Sequence, residues 1–544
     1  MNLISRLPPL WPLCVAGGLV LLLGMRLDVM EVDSAQYASI AREMLHNGEW
    51  LEVYEHGQTY NSRGFPDKPP LLFWAGATGM WLFGENNWGF KLIPTLIGLF
   101  SIFAAGRWAA MLYGAEAKTP ARIFYSFNAG FLLMHMDLRT DAMLVHFITI
   151  GCWQLEVFLR TERKSAFLGA FSALALGMLA KGPVALIAVL AAFGPEALLR
   201  RDWKRLFRWE WLAGILWLLL LLSPMLYGLY TQWGWENGIK YYFWTQSFGR
   251  ITGENVWENN LPATYLLENF AWAFLPWVPA FMGMFFRPKQ ILIWRIEPGK
   301  LVPVFGFVLM LIAMSLSHYK LPHYVYVTWP FAAIWLSGWW ITVNSKMIWQ
   351  IVHTVLAVVM LGFTSAMLYW TLQWPAYLAL LLPFTLGLLL QGFLKRQTQA
   401  DHIKNLLPTV CAFLAFGLFA NGFFYPAIMQ YQSSSQAGKM VVNQYEKLPV
   451  YHWLNNEESI HALHFYSQQI VSPISPENLP KNKKFLLYTT PALATAWQKQ
   501  LPLSVKQQVE MPYFKVTHLN PAFLNGKTRS TSVEKRVLLT IKID

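Results

Sequence analysis

The chain has 544 residues, of which 55% are hydrophobic and only 13% charged, and its net charge is +13. A soluble domain carries about a quarter charged residues, so this composition sets aside an ordinary soluble protein. The positive charge does not point to nucleic acid either, because most Lys and Arg lie in short loops between apolar runs, the topological bias of a membrane protein.

The 27 Trp, 37 Phe and 22 Tyr fit rings placed at membrane interfaces. Cys14, Cys152 and Cys411 all fall inside apolar runs, with no disulfide framework and no zinc spacing. A hydrocarbon core needs roughly 20 apolar residues per helix, and by that measure the chain has about 13 spans. They lie near 9–27, 91–112, 121–136, 141–160, 166–181, 183–200, 209–230, 263–286, 301–317, 322–343, 347–371, 375–394 and 405–425. The first run lacks a small-residue cleavage site and reads as a retained span. The expected fold class is therefore an α-helical polytopic membrane protein, with a membrane domain over 1–425.

Basic residues set the orientation. They recur in alternate loops, at Lys118 and Arg122, at Arg160, Arg163 and Lys164, at 200–208, at 287–300 and at 395–404. With the N-terminus in the cytoplasm and an odd number of spans, the C-terminal tail lies outside. Residues 28–90 then form a long first outer loop, in which Ser34–Leu45 has helical spacing and is expected along the membrane surface. Residues 426–544 are more polar and are expected to form a small α/β outer domain. Strands are expected at Ala462–Tyr466, Phe485–Thr489 and Val537–Ile543, and a helix at Pro491–Lys499.

Ionisable residues beside or inside spans are costly and are functional candidates by default. On the expected outer side they recur at five places. Asp33, in Glu31-Val-Asp33-Ser-Ala-Gln-Tyr37, is either a general base toward an acceptor or an ordinary helix cap. Lys68, beside Pro69-Pro70, is either a fixed cation for a phosphate or a snorkelling interfacial lysine. Asp137-Leu-Arg139-Thr-Asp141 is either part of a site or a loop pairing its own charges. Lys181-Gly182-Pro183 is by itself turn chemistry. The run Ser317-His318-Tyr319-Lys320-Leu321-Pro322-His323-Tyr324 is too rich in polar groups for a connector, and has no adjoining carboxylate to favour a metal. Arg250 adds another cation on the same side. Fixed cations beside helix grooves suit a lipid-linked phosphate, whose leaving charge must be neutralised.

Together these motifs resemble the C-type membrane glycosyltransferases (GT-C fold), in the family of protein O-mannosyltransferases and nearest to the bacterial lipid A aminoarabinose transferases. The resemblance rests on Asp33–Met44, Lys68-Pro-Pro-Leu71, Arg139-Thr-Asp141 with Lys181-Gly-Pro183, and Lys320-Leu-Pro-His-Tyr324. It implies catalytic roles for Asp33 and Asp141. It implies donor or acceptor contacts for Tyr37, Lys68, Arg139, Lys181, Arg250, Lys320 and Tyr324. It also implies a polyprenyl-phosphate-linked sugar donor, with lipid A, another glycan or protein Ser/Thr as acceptor. No metal ligand and no certain cofactor is implied, and the expected location is the bacterial inner membrane with a periplasmic site. Many relatives carry Asp-Glu-x-Arg-Tyr in the first loop, where this chain has Asp33-Ser34-Ala35-Gln36-Tyr37. Two other readings stay open: a flippase for the same lipid-linked sugars, and a non-catalytic receptor with the outer tail as its binding module.

Overall fold

The computed structural model describes residues 11–55, 67–249, 259, 261–286, 297–343, 346–398, 400–445, 448–454, 458–480, 484–500 and 503–543. Helices in chain order are α1 (Trp11–Arg26), α2 (Asp33–Asn47), α3 (Leu71–Phe83), α4 (Asn87–Tyr113), α5 (Lys118–Ser126), α6 (Ala129–Met136), α7 (Thr140–Thr161), α8 (Lys164–Lys181) and α9 (Val184–Leu199). They continue as α10 (Glu210–Gly234), α11 (Tyr265–Ala273), α12 (Val278–Gly283), α13 (Val302–Ser315), α14 (Trp329–Trp340), α15 (Lys346–Ala366), α16 (Ala376–Gln397) and α17 (Leu407–Phe419).

Every apolar run read from the sequence coincides with helix, but not every run is one straight rod. Among the described residues, six helices are long and apolar enough to cross a membrane, or seven if the bent pair α11 and α12 is one span. That pair turns by 116° at Phe274–Trp277. The expected span 121–136 is likewise two helices. Asn128 joins them: its amide donates to the Phe124 and Tyr125 carbonyls at 3.0 and 2.8 Å, and its carbonyl accepts from Phe131 N at 2.8 Å. One side chain thus satisfies both the end of α5 and the start of α6.

The hairpin of α3 and α4 closes on small residues. Gly84 has φ +89°, and an added Cβ on Gly79 would lie 2.1 Å from the Gly89 carbonyl oxygen. Fully buried Lys91 on α4 donates to the Leu27 carbonyl at 2.9 Å and the Gly24 carbonyl at 3.3 Å, so its charge sits on the orphan carbonyls at the end of α1.

The tail carries helices α18 (Ser433–Gln444), α19 (His461–Ser467) and α20 (Pro491–Gln500) around strands β1 (Val450–Trp453), β2 (Ser472–Pro473), β3 (Lys484–Thr489), β4 (Leu503–Tyr513) and β5 (Glu534–Ile543). The sheet order is β2-β1-β3-β5-β4, parallel at β2–β1–β3 and antiparallel at β3–β5–β4, with Leu487 opposite Leu539. Both faces are covered, which is why β3 is a continuous apolar run rather than an alternating one. Phe485, Leu487, Leu539 and Ile541 pack with Trp497 of α20, while Leu486, Tyr488 and Leu538 pack with Val441 of α18 and Leu463 of α19.

Two expectations need correction. Ala462–Tyr466 is helix α19, not a strand. Its apolar residues are buried because the helix is wedged between the sheet and α2, so a short apolar run was no guide to its period. Helix α2 forms as expected, but it does not lie open on a surface. Tyr37, Ala38, Ile40, Ala41 and Met44 are buried between α3 and α19, and Arg42 ties it to Glu85 at 2.7 Å and to the Gln468 carbonyl at 2.8 Å.

Candidate active site

The polar motifs converge at one end of the helix bundle. The tail domain grips the irregular segment leading into α2. Gln432 accepts from Glu31 N at 3.0 Å and donates to the Val29 carbonyl at 2.8 Å. The Glu31 carboxylate accepts from Ser459 Oγ at 2.5 Å, Ala462 N at 2.8 Å and Ser434 Oγ at 3.1 Å. Burial raises the Glu31 pKa above the ordinary carboxylate value, and these three donors work against that rise.

Asp33 follows two residues later as the first residue of α2. The helix cap is Val32, and no side chain makes a capping bond there. The Asp33 carboxylate instead meets the Arg139 guanidinium at 2.7 Å. Arg139 precedes α7 in extended conformation, which turns its side chain out of the helix. It also binds Asp137 at 2.8 Å and approaches His323 Nδ1 at 3.4 Å.

His323 carries the polar chain onward. Its Nε2 lies 3.8 Å from the Asp141 carboxylate, whose other oxygen takes the Lys181 ammonium at 2.5 Å. That ammonium lies 4.7 Å from the centre of the Tyr324 ring. Lys181 is the last residue of α8, followed by Gly182 with φ +85°, so the turn chemistry of Lys-Gly-Pro is what delivers the lysine. Asp33, Arg139, His323, Asp141, Lys181 and Tyr324 therefore form one connected set drawn from four separate stretches.

Tyr37 lies buried beside this set, its ring 5.8 Å from that of Phe73. Burial, then the Asp33 and Asp67 carboxylates, push its phenol well above the ordinary value and keep it a neutral donor. Lys68 pairs with Asp67 and lies close enough to act electrostatically on His323. Lys320 takes a different partner. It is buried, its ammonium donates to the Leu261 carbonyl at 3.1 Å, and its backbone pairs with the Asn259 side chain. Arg250 lies outside the described residues.

Three members of this region were not singled out from sequence: Asp137, His323 and Glu31. All three sit within the polar motifs of the sequence, and the Asp-x-Arg spacing signals Asp137. The partners of Glu31 had no signal, since they lie about 400 residues away.

Residues 67–227 match the family model described as dolichyl-phosphate-mannose-protein mannosyltransferase. An undecaprenyl phosphate-alpha-4-amino-4-deoxy-L-arabinose arabinosyl transferase of Sodalis glossinidius is 25% identical over 54% of this chain and 51% of its own length. The enzyme of that name from Pseudomonas savastanoi is 28% identical over 54% of each chain. This chain thus spans about half the length of the curated relatives it matches. The crystal structure of ArnT from Cupriavidus metallidurans bound to undecaprenyl phosphate superposes with TM-score 0.74 at 17% identity, over 97% of this chain and 96% of that one. At that identity the likeness establishes the shared fold, over the membrane helices and the sheet alike.

Proposed function

We propose that this chain is a membrane glycosyltransferase of the GT-C family that moves a sugar from an undecaprenyl-phosphate-linked donor, the donor that the names of its relatives print, to lipid A. The observation that carries this reading is the connected set from Asp33 to Lys181 and Tyr324, assembled at one end of an apolar bundle. The proposed orientation places that end in the periplasm, together with residues 433–543, and the N-terminus in the cytoplasm. Reporter fusions at Lys164 and Arg205 should then read cytoplasmic, and one after Ser434 periplasmic.

In the proposed reaction an acceptor oxygen attacks the anomeric carbon as the bond from that carbon to the phosphate oxygen breaks. The electron pair leaves with the undecaprenyl phosphate, and in-line attack inverts the carbon. Lys68 and Lys181 neutralise the leaving phosphate. Asp33, held by Arg139, orients the acceptor. A phosphate acceptor on lipid A arrives ionised and needs no base, whereas a hydroxyl acceptor would pass its proton to a carboxylate. Asp141 holds Lys181 in place, and its own position is fixed by α7.

The test supplies purified protein with the lipid-linked aminosugar and lipid A. The proposal expects a lipid A product heavier by one sugar residue, with undecaprenyl phosphate released in equal amount. Release of sugar onto a Ser/Thr peptide instead would move the chain to protein glycosylation. Movement of labelled donor across vesicles without any product would make it a flippase.

A further inference from the structure

The end of the bundle remote from this site has its own unassigned feature. Helices α4 and α7 start at the site end and run away from it, and α5 begins where α4 has finished. Thr119 and Arg122 on α5 therefore mark the far end. There, α1, α4, α5, α6 and α17 surround a cavity of about 360 Å³, within the volume range of small-molecule sites. Its walls are almost wholly apolar, and among the described residues no carboxylate lines it. Gly17 and Gly18 leave α1 bare on this side, and an added Cβ on Gly18 would meet nothing within 4 Å. Phe103 on the wall is exposed on the outer face, so the groove opens toward lipid.

Arg122 sits in this groove with its guanidinium 5.4 Å from the centre of the Phe103 ring. Its Nε is buried and meets no acceptor among the described residues. A second cation, Arg107, is near enough to act on it electrostatically. A cation lining an apolar groove, a second one close by, and no carboxylate among the described lining residues make an arrangement that calls for an anion. A guanidinium matches phosphate oxygens in geometry as well as charge. An acyl chain gains little in an apolar groove over bulk lipid, so the headgroup does the selecting.

We propose that this groove holds one anionic glycerophospholipid from the leaflet opposite the candidate active site, its phosphate on Arg122 and an acyl chain along Gly17 and Gly18. The site is separate from the sugar-transfer reading and stands or falls independently of it.

Native mass spectrometry of the full chain tests this, with phosphatidylglycerol and phosphatidylcholine of equal chain length added in equal amounts. The wild type should retain one phosphatidylglycerol in preference to phosphatidylcholine by about five-fold, the selectivity expected of one basic residue near a lipid surface. Arg122→Gln should erase the preference, and Arg122→Lys should keep most of it. Gly18→Phe, which fills the groove and leaves Arg122 in place, should abolish retention of either lipid. Equal retention of both lipids by the wild type overturns the proposal, as does a preference that survives Arg122→Gln. Recovery of polyprenyl phosphate or inorganic phosphate in place of a glycerophospholipid overturns it as well.

Discussion

Asp33→Asn separates two roles that the fold allows for one carboxylate. Val32, not Asp33, occupies the cap position, and no capping bond exists to lose. Asn is in any case as good a cap as Asp. What the substitution removes is the pair with Arg139 at 2.7 Å, whose side chains are 25% and 36% exposed. A pair that accessible contributes about 0.2–1 kcal/mol, well short of the roughly 3–5 kcal/mol lost when a fully buried pair is broken. Arg139 also keeps Asp137 at 2.8 Å, so no charge is stranded. The melting temperature should therefore move by at most about 4 °C. Transfer should nevertheless fall by roughly a hundred-fold, equivalent to about 2.7 kcal/mol of transition-state stabilisation. The assay is kcat for transfer from the undecaprenyl-linked donor, read beside thermal unfolding of the same preparations. If Asp33 and Arg139 act as a unit, the double variant Asp33→Asn/Arg139→Gln should be no slower than the worse single variant. Wild-type turnover in well-folded Asp33→Asn protein refutes the reasoning and moves the chemistry to Asp141.

Lys68→Ala should cut transfer by about ten- to a hundred-fold through loss of one charge-assisted phosphate contact, and leave folding intact because Asp67 is 36% exposed. Lys181→Ala should behave differently, since it strands the Asp141 carboxylate, only 3% exposed, at a cost of about 3–5 kcal/mol; thermal unfolding should show this, and Lys181→Ala/Asp141→Ala should regain stability without activity. His464 accepts from Val471 N at 3.0 Å through Nδ1, and burial first, then His461 and His452, lowers its pKa to about 3. A histidine whose folded pKa is depressed below the unfolded 6.5 contributes stability that is lost as pH falls from there toward 3. At pH 5 the loss is about 2 kcal/mol, from 1.36 kcal/mol per unit. Melting curves between pH 7 and pH 5 should show the fall, and His464→Leu should remove its share, leaving the part due to His461 and His452, which burial lowers to about 4.

Much of the architecture was legible because the bilayer constrains it. A spanning segment must satisfy its own backbone, so apolar length alone located the helices. Breaks inside such runs were not legible, because they depend on one well-placed polar side chain, as Asn128 shows between α5 and α6. In the tail, strands β3 and β5 were readable from β-branched and aromatic runs. Helix α19 was not, because its burial comes from α2, far away in sequence. For the site, the motifs named the right stretches but not the partners. Lys181 and Asp141 were both visible, yet their pairing needs α7 and α8 to be antiparallel neighbours. Lys320 looked equivalent to Lys181, and only the fold turns it toward the Leu261 carbonyl.

The departure in the first loop bears on which sugar the site accepts. Where the family pattern that this sequence resembles has Arg, Gln36 donates to Glu55 Oε1 at 2.9 Å. Asp33 and Asp137 are paired with Arg139, Asp141 with Lys181, and Asp67 with Lys68. Glu55 differs from these. Its contacts among the described residues are the neutral amide of Gln36 and, at 3.3 Å, Nδ1 of His461, a histidine that burial holds at a pKa of about 4 and so keeps uncharged at neutral pH. Burial, and then the charge of Asp67, raise the Glu55 pKa, and among the described residues no charged cation pairs with it. An ammonium on the donor sugar would relieve that shortage. On the proposed reading, Glu55→Gln keeps the shape and the Gln36 contact and removes the charge. The KM for an amino-sugar donor should then rise by about ten-fold or more, the loss of one charge-assisted contact of about 1.5–3 kcal/mol. The KM for the N-formylated donor, which carries no ammonium, should not change. Equal KM values for the amino donor in wild type and Glu55→Gln would remove Glu55 from donor recognition and leave Asp67 as the carboxylate to test next.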